Sequence, residues 1–127
     1  LRTILQVSKT LLQEKQFFFI TEETMPLNIQ ANGQMLVDSD NLAFIYLLEN
    51  DESYIYASIK EDFWHDISNA CKMDVTFILK SAQSETEIEL VNFKEEMTYL
   101  ISNIEGNSNY GEEMVTKVMN AFSDMAV

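Results

Sequence analysis

The chain has 127 residues, of which 46% are hydrophobic and 14 are aromatic, a composition that builds one buried core rather than a disordered segment. Eight Lys and Arg stand against 21 Asp and Glu, a formal charge of −13 that repels a phosphate backbone, so no nucleic-acid partner is expected. No apolar run approaches the ~20 residues of a membrane helix, and no membrane partner is expected. Cys71 stands alone, which excludes an intramolecular disulfide and a thiol-rich zinc site and fits a cytoplasmic location. Leu1 in place of an initiator methionine is compatible with a processed chain.

The first strand is expected over Arg2 to Ser8, with Thr3, Leu5 and Val7 on one side and Arg2, Ile4, Gln6 and Ser8 on the other. Polar Gln13 to Gln16 turns the chain into Phe17-Phe18-Phe19-Ile20, an apolar run too short for a helix and rich in strand-forming aromatics. Thr21 to Asn32 holds the only proline, Pro26, and reads as an irregular connection. From Gly33 to Tyr46 two strands flank one corner: Met35, Leu36 and Val37 lead into Asp38-Ser39-Asp40-Asn41, whose short side chains bond to nearby backbone, before Leu42 to Leu48 resumes. Glu49 to Glu52 then joins that strand to Ser53 to Ile59 as a hairpin, in which Tyr54, Tyr56 and Ser58 share one half-exposed face.

A short helix is expected after Asp62 as N-cap, with Phe63, Ile67 and Ala70 at helical spacing and Trp64 and Cys71 widening the apolar face. Asp74 to Lys80 returns to strand, Ser81 to Ser84 turns, and Glu85 to Leu90 follows with Glu85, Glu87 and Glu89 on one face and Thr86, Ile88 and Leu90 on the other. The period then changes to 3.6. Asn92 with Glu95 has the spacing of a capping box, and Phe93, Met97, Leu100, Ile101 and Ile104 make one stripe, ended by Gly106. Asn109 with Glu112 repeats the cap spacing before a second stripe of Val115, Val118, Met119, Phe122 and Ala126. These elements give one α+β domain over residues 1–127: a mainly antiparallel sheet of six or seven short strands, one inserted helix, and a C-terminal helical pair packed on the sheet.

Catalytic chemistry finds little support. His65 and Cys71 are the only imidazole and thiol; six residues rotate a helix roughly 240° past a full turn, so the two side chains point apart. Asp38 and Asp40 open like a calcium loop, but Leu42 occupies the next ligand position and no glycine or distal glutamate follows. Gly33, Gly106 and Gly111 lie apart, which excludes a glycine-rich phosphate cradle. No catalytic residue, cofactor or metal is assigned. The reading is a non-enzymatic interaction module whose partner has a basic surface and docks on Glu85, Glu87 and Glu89; a small hydrolase-like enzyme using carboxylates is the alternative, and the oligomeric state is left open.

Two blocks carry a likeness. Gly33-Gln34-Met35-Leu36-Val37-Asp38-Ser39-Asp40-Asn41, continuing to Ala43-Phe44 and Tyr46, resembles the central signature of a short uncharacterised protein family of Gram-positive bacteria. Thr98-Tyr99-Leu100, Asn103-Ile104, Gly106-Asn107 and Asn109-Tyr110-Gly111 resemble that family's C-terminal segment in the same order. The resemblance implies a small, cytoplasmic bacterial protein of unknown function, with no catalytic residue to carry over.

Overall fold

The computed structural model describes residues 3–123 and 125; the expected positions of Arg2 and Ala126 lie outside them. Seven strands form one sheet: β1 Thr3–Gln13, β2 Gln16–Thr21, β3 Gln30–Asp38, β4 Ala43–Glu49, β5 Tyr54–Lys60, β6 Thr76–Ser81 and β7 Glu87–Glu89, in the spatial order β3-β4-β5-β1-β2-β6-β7. Three α-helices accompany them: α1 Trp64–Cys71, α2 Phe93–Ile104 and α3 Glu112–Phe122.

The sheet is mixed, which corrects the mainly antiparallel arrangement expected from the hairpins. The hairpins β1-β2, β4-β5 and β6-β7, and the corner between β3 and β4, are antiparallel, but β1 runs parallel to β5 and β2 parallel to β6. Both parallel junctions join strands distant in sequence, and such partnerships have no turn between them to announce a direction. One strand makes both halves possible. β1 pairs with β5 over Thr3 to Gln6 and with β2 over Val7 to Gln13, changing neighbour near Ser8, where the β1-β2 register slips by one residue. The helical content also goes beyond the expectation, with one-turn 3-10 segments at Ser39–Asn41, Glu61–Phe63 and Ser108–Tyr110.

The core lies on one face of the sheet. Leu5, Val7, Phe17, Phe19, Phe44, Tyr46, Leu48, Ile55, Ala57, Ile59, Phe77 and Leu79 meet Trp64 and Ile67 of α1, the whole Phe93, Met97, Leu100, Ile101, Ile104 stripe of α2, and Met114, Val118 and Phe122 of α3. Phe93 is the centre of an aromatic group, with ring centroids 4.6 Å from Phe77, 5.1 Å from Phe19 and 6.4 Å from Tyr46. The second aromatic group joins Trp64, Phe44 and Phe122, all fully buried.

Helix starts are made differently from the expected caps. Asp62 sits inside the 3-10 turn Glu61–Phe63, and Phe63 precedes α1 without a capping side chain. Asn92 does precede α2, but with φ 64° its side chain leaves the helix amides and no cap bond forms; the helix instead opens on Glu96 N–H to Asn92 O at 2.9 Å. Asn107, rather than Asn109, caps the short turn before α3 by accepting from Asn109 N–H, and Gly111 is the residue that enters α3.

Candidate functional site

With α1, α2 and α3 on one side, the other face of the sheet has no helix over it among the described residues. Strand alternation puts Ile45 and Leu47 of β4 there, opposite in direction to Phe44, Tyr46 and Leu48. Register then assembles rows across the strands. Leu36, Ile45, Ser58 and Gln6 stand side by side on β3, β4, β5 and β1; Leu47, Tyr56 and Ile4 form the next row; Asp38, Ala43 and Lys60 form the row on the other side. Of these, all but Leu47 and Ala43 line a groove of about 440 Å³, with Ile45 in its floor, Leu36 and Ile4 left 42% and 46% exposed, and Asp38 and Lys60 at one end. Asn41 closes that end by donating to Asp38 Oδ2 at 2.9 Å. The expected corner is therefore a 3-10 turn whose Asp38 is engaged by Asn41. Among the described residues no three His, Cys, Asp or Glu side chains are placed to hold a metal ion.

On the same face, toward the other margin, Phe18, Ile20 and Ile78 form a small apolar cluster separate from the core, with the Lys80 ammonium 5.7 Å from the Phe18 ring centre. Here the acidic row meets the sheet. Glu87 and Glu89 lie on β7, the last strand, opposite Lys80 and Ile78, and Lys80 Nζ is 3.6 Å from Glu87 Oε2. Glu85 does not join them, which corrects the strand expected from Glu85 to Leu90. The turn runs on to Thr86 because Ser81 Oγ accepts from Gln83 N–H, Ser84 Oγ accepts from Thr86 N–H, and Ser81 N–H donates to Thr86 O.

The two margins of the sheet are drawn together by a polar clasp on the core side. Tyr46 is fully buried, and its hydroxyl donates to Val91 O at 2.6 Å while the Gly33 backbone N–H supports the phenolic oxygen. Burial pushes the Tyr46 hydroxyl up to about 12, against the Gly33 N–H and with help from Glu89 and Glu96, so it is a neutral donor at ordinary pH. Glu96 of α2 accepts from Met35 N–H at 3.0 Å, just past Gly33, where the β3-β4 register is displaced between Ala31 and Met35. Gly33 is needed twice over: its φ is +88°, and a Cβ there would stand 3.1 Å from Asn92 Nδ2.

A cleft of about 710 Å³ lies where α2 begins, between the loops entering β6 and leaving β7, and gathers Lys72, Asp74, Thr76, Glu89, Lys94 and Glu95. His65 is exposed on α1 and is not among its lining residues. Cys71 is buried, and burial pushes its thiol up to about 11, with Lys94 opposing and Glu95 adding, which favours the protonated thiol at neutral pH. The groove was partly visible in the sequence as the Tyr54, Tyr56, Ser58 face. Its floor was not, because the unbroken apolar run of β4 conceals which of its residues face outward.

Residues 5–122 match UPF0738, described as a family of unknown function. A UPF0738 protein of Bacillus mycoides (strain KBAB4) is 42% identical over 120 residues, covering 93% of this chain and 96% of the relative. One from Geobacillus sp. (strain WCH70) is 48% identical over 104 residues, covering 82% and 78%. No solved structure matches the chain. Near full-length coverage at this identity, together with a match that runs from within β1 to the end of α3, means that the chain belongs to the UPF0738 family, whose function is unknown.

Proposed function

We propose that the chain is a cytoplasmic, non-catalytic protein-binding module that engages its partner through the open face of the sheet. The observation that supports this reading is the uncovered groove over β3, β4, β5 and β1, where Leu36 and Ile4 remain half exposed beside Ile45 and Leu47. Exposed apolar residues gathered on one face, rather than scattered, mark an interaction surface. The partner this face fits has an apolar centre and a basic flank. The flank faces Glu87 and Glu89 on β7, with Glu85 at the adjoining turn, and the formal charge of −13 speeds encounter with such a surface.

The test compares three forms of the protein, wild type, Leu36→Asp, and the triple variant with Glu85, Glu87 and Glu89 replaced by Lys, as baits for affinity capture from the native cell followed by mass spectrometry. Proteins retained by the wild type and lost from Leu36→Asp, with weaker and less salt-sensitive retention by the triple variant, are the expected result. Identical capture by all three folded baits would remove the open face from function. The carboxylate-hydrolase alternative uses the cleft at α2 instead, so hydrolysis of generic ester or phosphoester substrates that is abolished by Glu89→Gln or Glu95→Gln would overturn the non-catalytic reading.

A further inference from the structure

β1 is the strand that changes neighbours, and the change leaves part of it unpaired. Its partnership with β5 ends at Gln6 and Ser58, because Lys60 is followed by the 3-10 turn and α1, which pass to the core side. From Lys9 to Gln13, β1 has β2 on one side and, among the described residues, no strand on the other. Which residues point to the free side follows from the far side of β2. Thr21 O accepts from Ala82 N–H at 2.8 Å and Lys15 O from Thr76 N–H at 2.9 Å, so the odd-numbered residues of β2 bond toward β6 and Gln16, Phe18 and Ile20 bond toward β1. Their partners Gln13, Leu11 and Lys9 are thereby engaged, and the N–H and C=O of Thr10 and Leu12 point outward.

The other two margins of the sheet are protected. β7 has three residues and two glutamates, and the β3 margin is displaced in register and has Met35 N–H taken by Glu96. The β1 edge has neither proline nor a register slip between Lys9 and Gln13. Instead it is apolar: Leu11 and Leu12 are 48% and 45% exposed, and Met73 beyond α1 is 45% exposed. Between the edge and α1 lies a depression of about 350 Å³ lined by Thr10, Leu11, Leu12, Phe17, Asp66 and Met73.

We propose that this edge pairs with the same edge of a second copy of the chain, two-fold symmetric and antiparallel, with Leu11 on the axis. Centred there, Thr10 of each copy faces Leu12 of the other. Both are the residues whose backbone groups point outward, so each pair exchanges two hydrogen bonds and all four outward N–H groups meet all four outward carbonyls. The registers one residue away set engaged residues against outward ones and satisfy none of this. Leu12 of the second copy lies on the helix side, over the depression beside Thr10, while the two Leu11 side chains touch on the open side. Charge permits the approach and helps to fix it. On a chain of formal charge −13, Lys9 and Lys15 outnumber Glu14 in this arm, and the pairing sets Glu14 of one copy opposite Ser8 and next to Lys9 of the other. The edge lies apart from the groove, and the pair forms whether or not the open face binds a partner.

Sedimentation velocity of the full chain tests it, over protein concentrations spanning roughly three decades around the micromolar Kd that so short an interface allows. Wild type should pass from monomer to dimer. Leu12→Pro removes an outward donor without touching the bonds to β2, and Leu12→Lys places a charge over the depression; both should stay monomeric with unchanged circular dichroism. Amide exchange should slow at Thr10 and Leu12 as concentration rises, and not at Leu11. A wild type that is monomeric throughout, a dimer that survives both substitutions, or concentration-dependent protection elsewhere than at Thr10 and Leu12 would overturn the proposal. So would capture of an extended segment of another protein on this edge by a chain that does not self-associate.

Discussion

Tyr46→Phe isolates the clasp that joins the sheet margins. The substitution keeps the ring against Phe93, at 6.4 Å between centroids, and deletes only the hydroxyl that donates to Val91 O at 2.6 Å. The loss is one short hydrogen bond, with the Val91 carbonyl and the Gly33 N–H left facing an apolar edge, a cost of about 1–2 kcal/mol. For a chain of this length each kcal/mol moves the midpoint by roughly 4 °C, so thermal unfolding followed by circular dichroism should shift down by roughly 4–8 °C. A second readout separates the hydroxyl from packing. Tyr46 has its ordinary value of 10 when unfolded and about 12 when folded, so the unfolded chain releases its proton first. The stabilisation from this group is complete below pH 10 and is lost as pH rises through about 12, on the order of 3 kcal/mol in all. The variant lacks that loss, and its alkaline stability profile should be the flatter of the two. Midpoints agreeing within about 1 °C, with parallel profiles above pH 10, would refute the assignment of Tyr46 to the clasp.

Leu100→Ala removes a buried side chain from the α2 stripe and should cost about 2–5 kcal/mol in urea denaturation, whereas a shift no larger than that of an exposed substitution would place α2 elsewhere than on the sheet. Gly33→Ala meets both a positive φ of 88° and a contact 3.1 Å from Asn92 Nδ2, and should cost about 1–3 kcal/mol; an unchanged midpoint would show that β3 does not make its displaced turn there.

The sequence made the α2 stripe plain because all five of its members repeat at helical spacing and all five are buried. The hairpin of β4 and β5 was equally readable, with a polar connector between two strand-forming runs. Pairing direction was not readable for β1 with β5 or β2 with β6. The same Leu5, Val7 alternation that marks a strand serves a parallel or an antiparallel neighbour alike, and β1 has one of each. Caps misled for a related reason: Asn92 has the right chemistry and spacing, but the path from β7 holds it at φ 64° and turns its side chain toward Gly33 instead of the helix amides. Glu85 was drawn into a strand by period alone, while the serines at 81 and 84 hold the turn open around it.

The two blocks that carry the family likeness are largely parts of the scaffold, although Leu36, Val37, Asp38 and Asn41 of the first also line the groove. Gly33, Met35 and Tyr46 of the first block make the clasp with Val91 and Glu96, and the second covers the end of α2, the left-handed Gly106 and the turn into α3. These positions stand out in a sequence because backbone geometry restricts what can occupy them: a positive φ calls for glycine, and a buried hydroxyl must sit within reach of one carbonyl. The groove and the free β1 edge are built from Ile4, Leu11, Leu12, Leu36 and Ile45, residues that any strand could carry. Their significance comes from what fails to cover them, and that depends on three helices taking one side of the sheet and on β5 parting from β1 at Gln6. A chain can therefore announce its family through the residues that shape its backbone while the faces that its fold leaves uncovered read as ordinary strand.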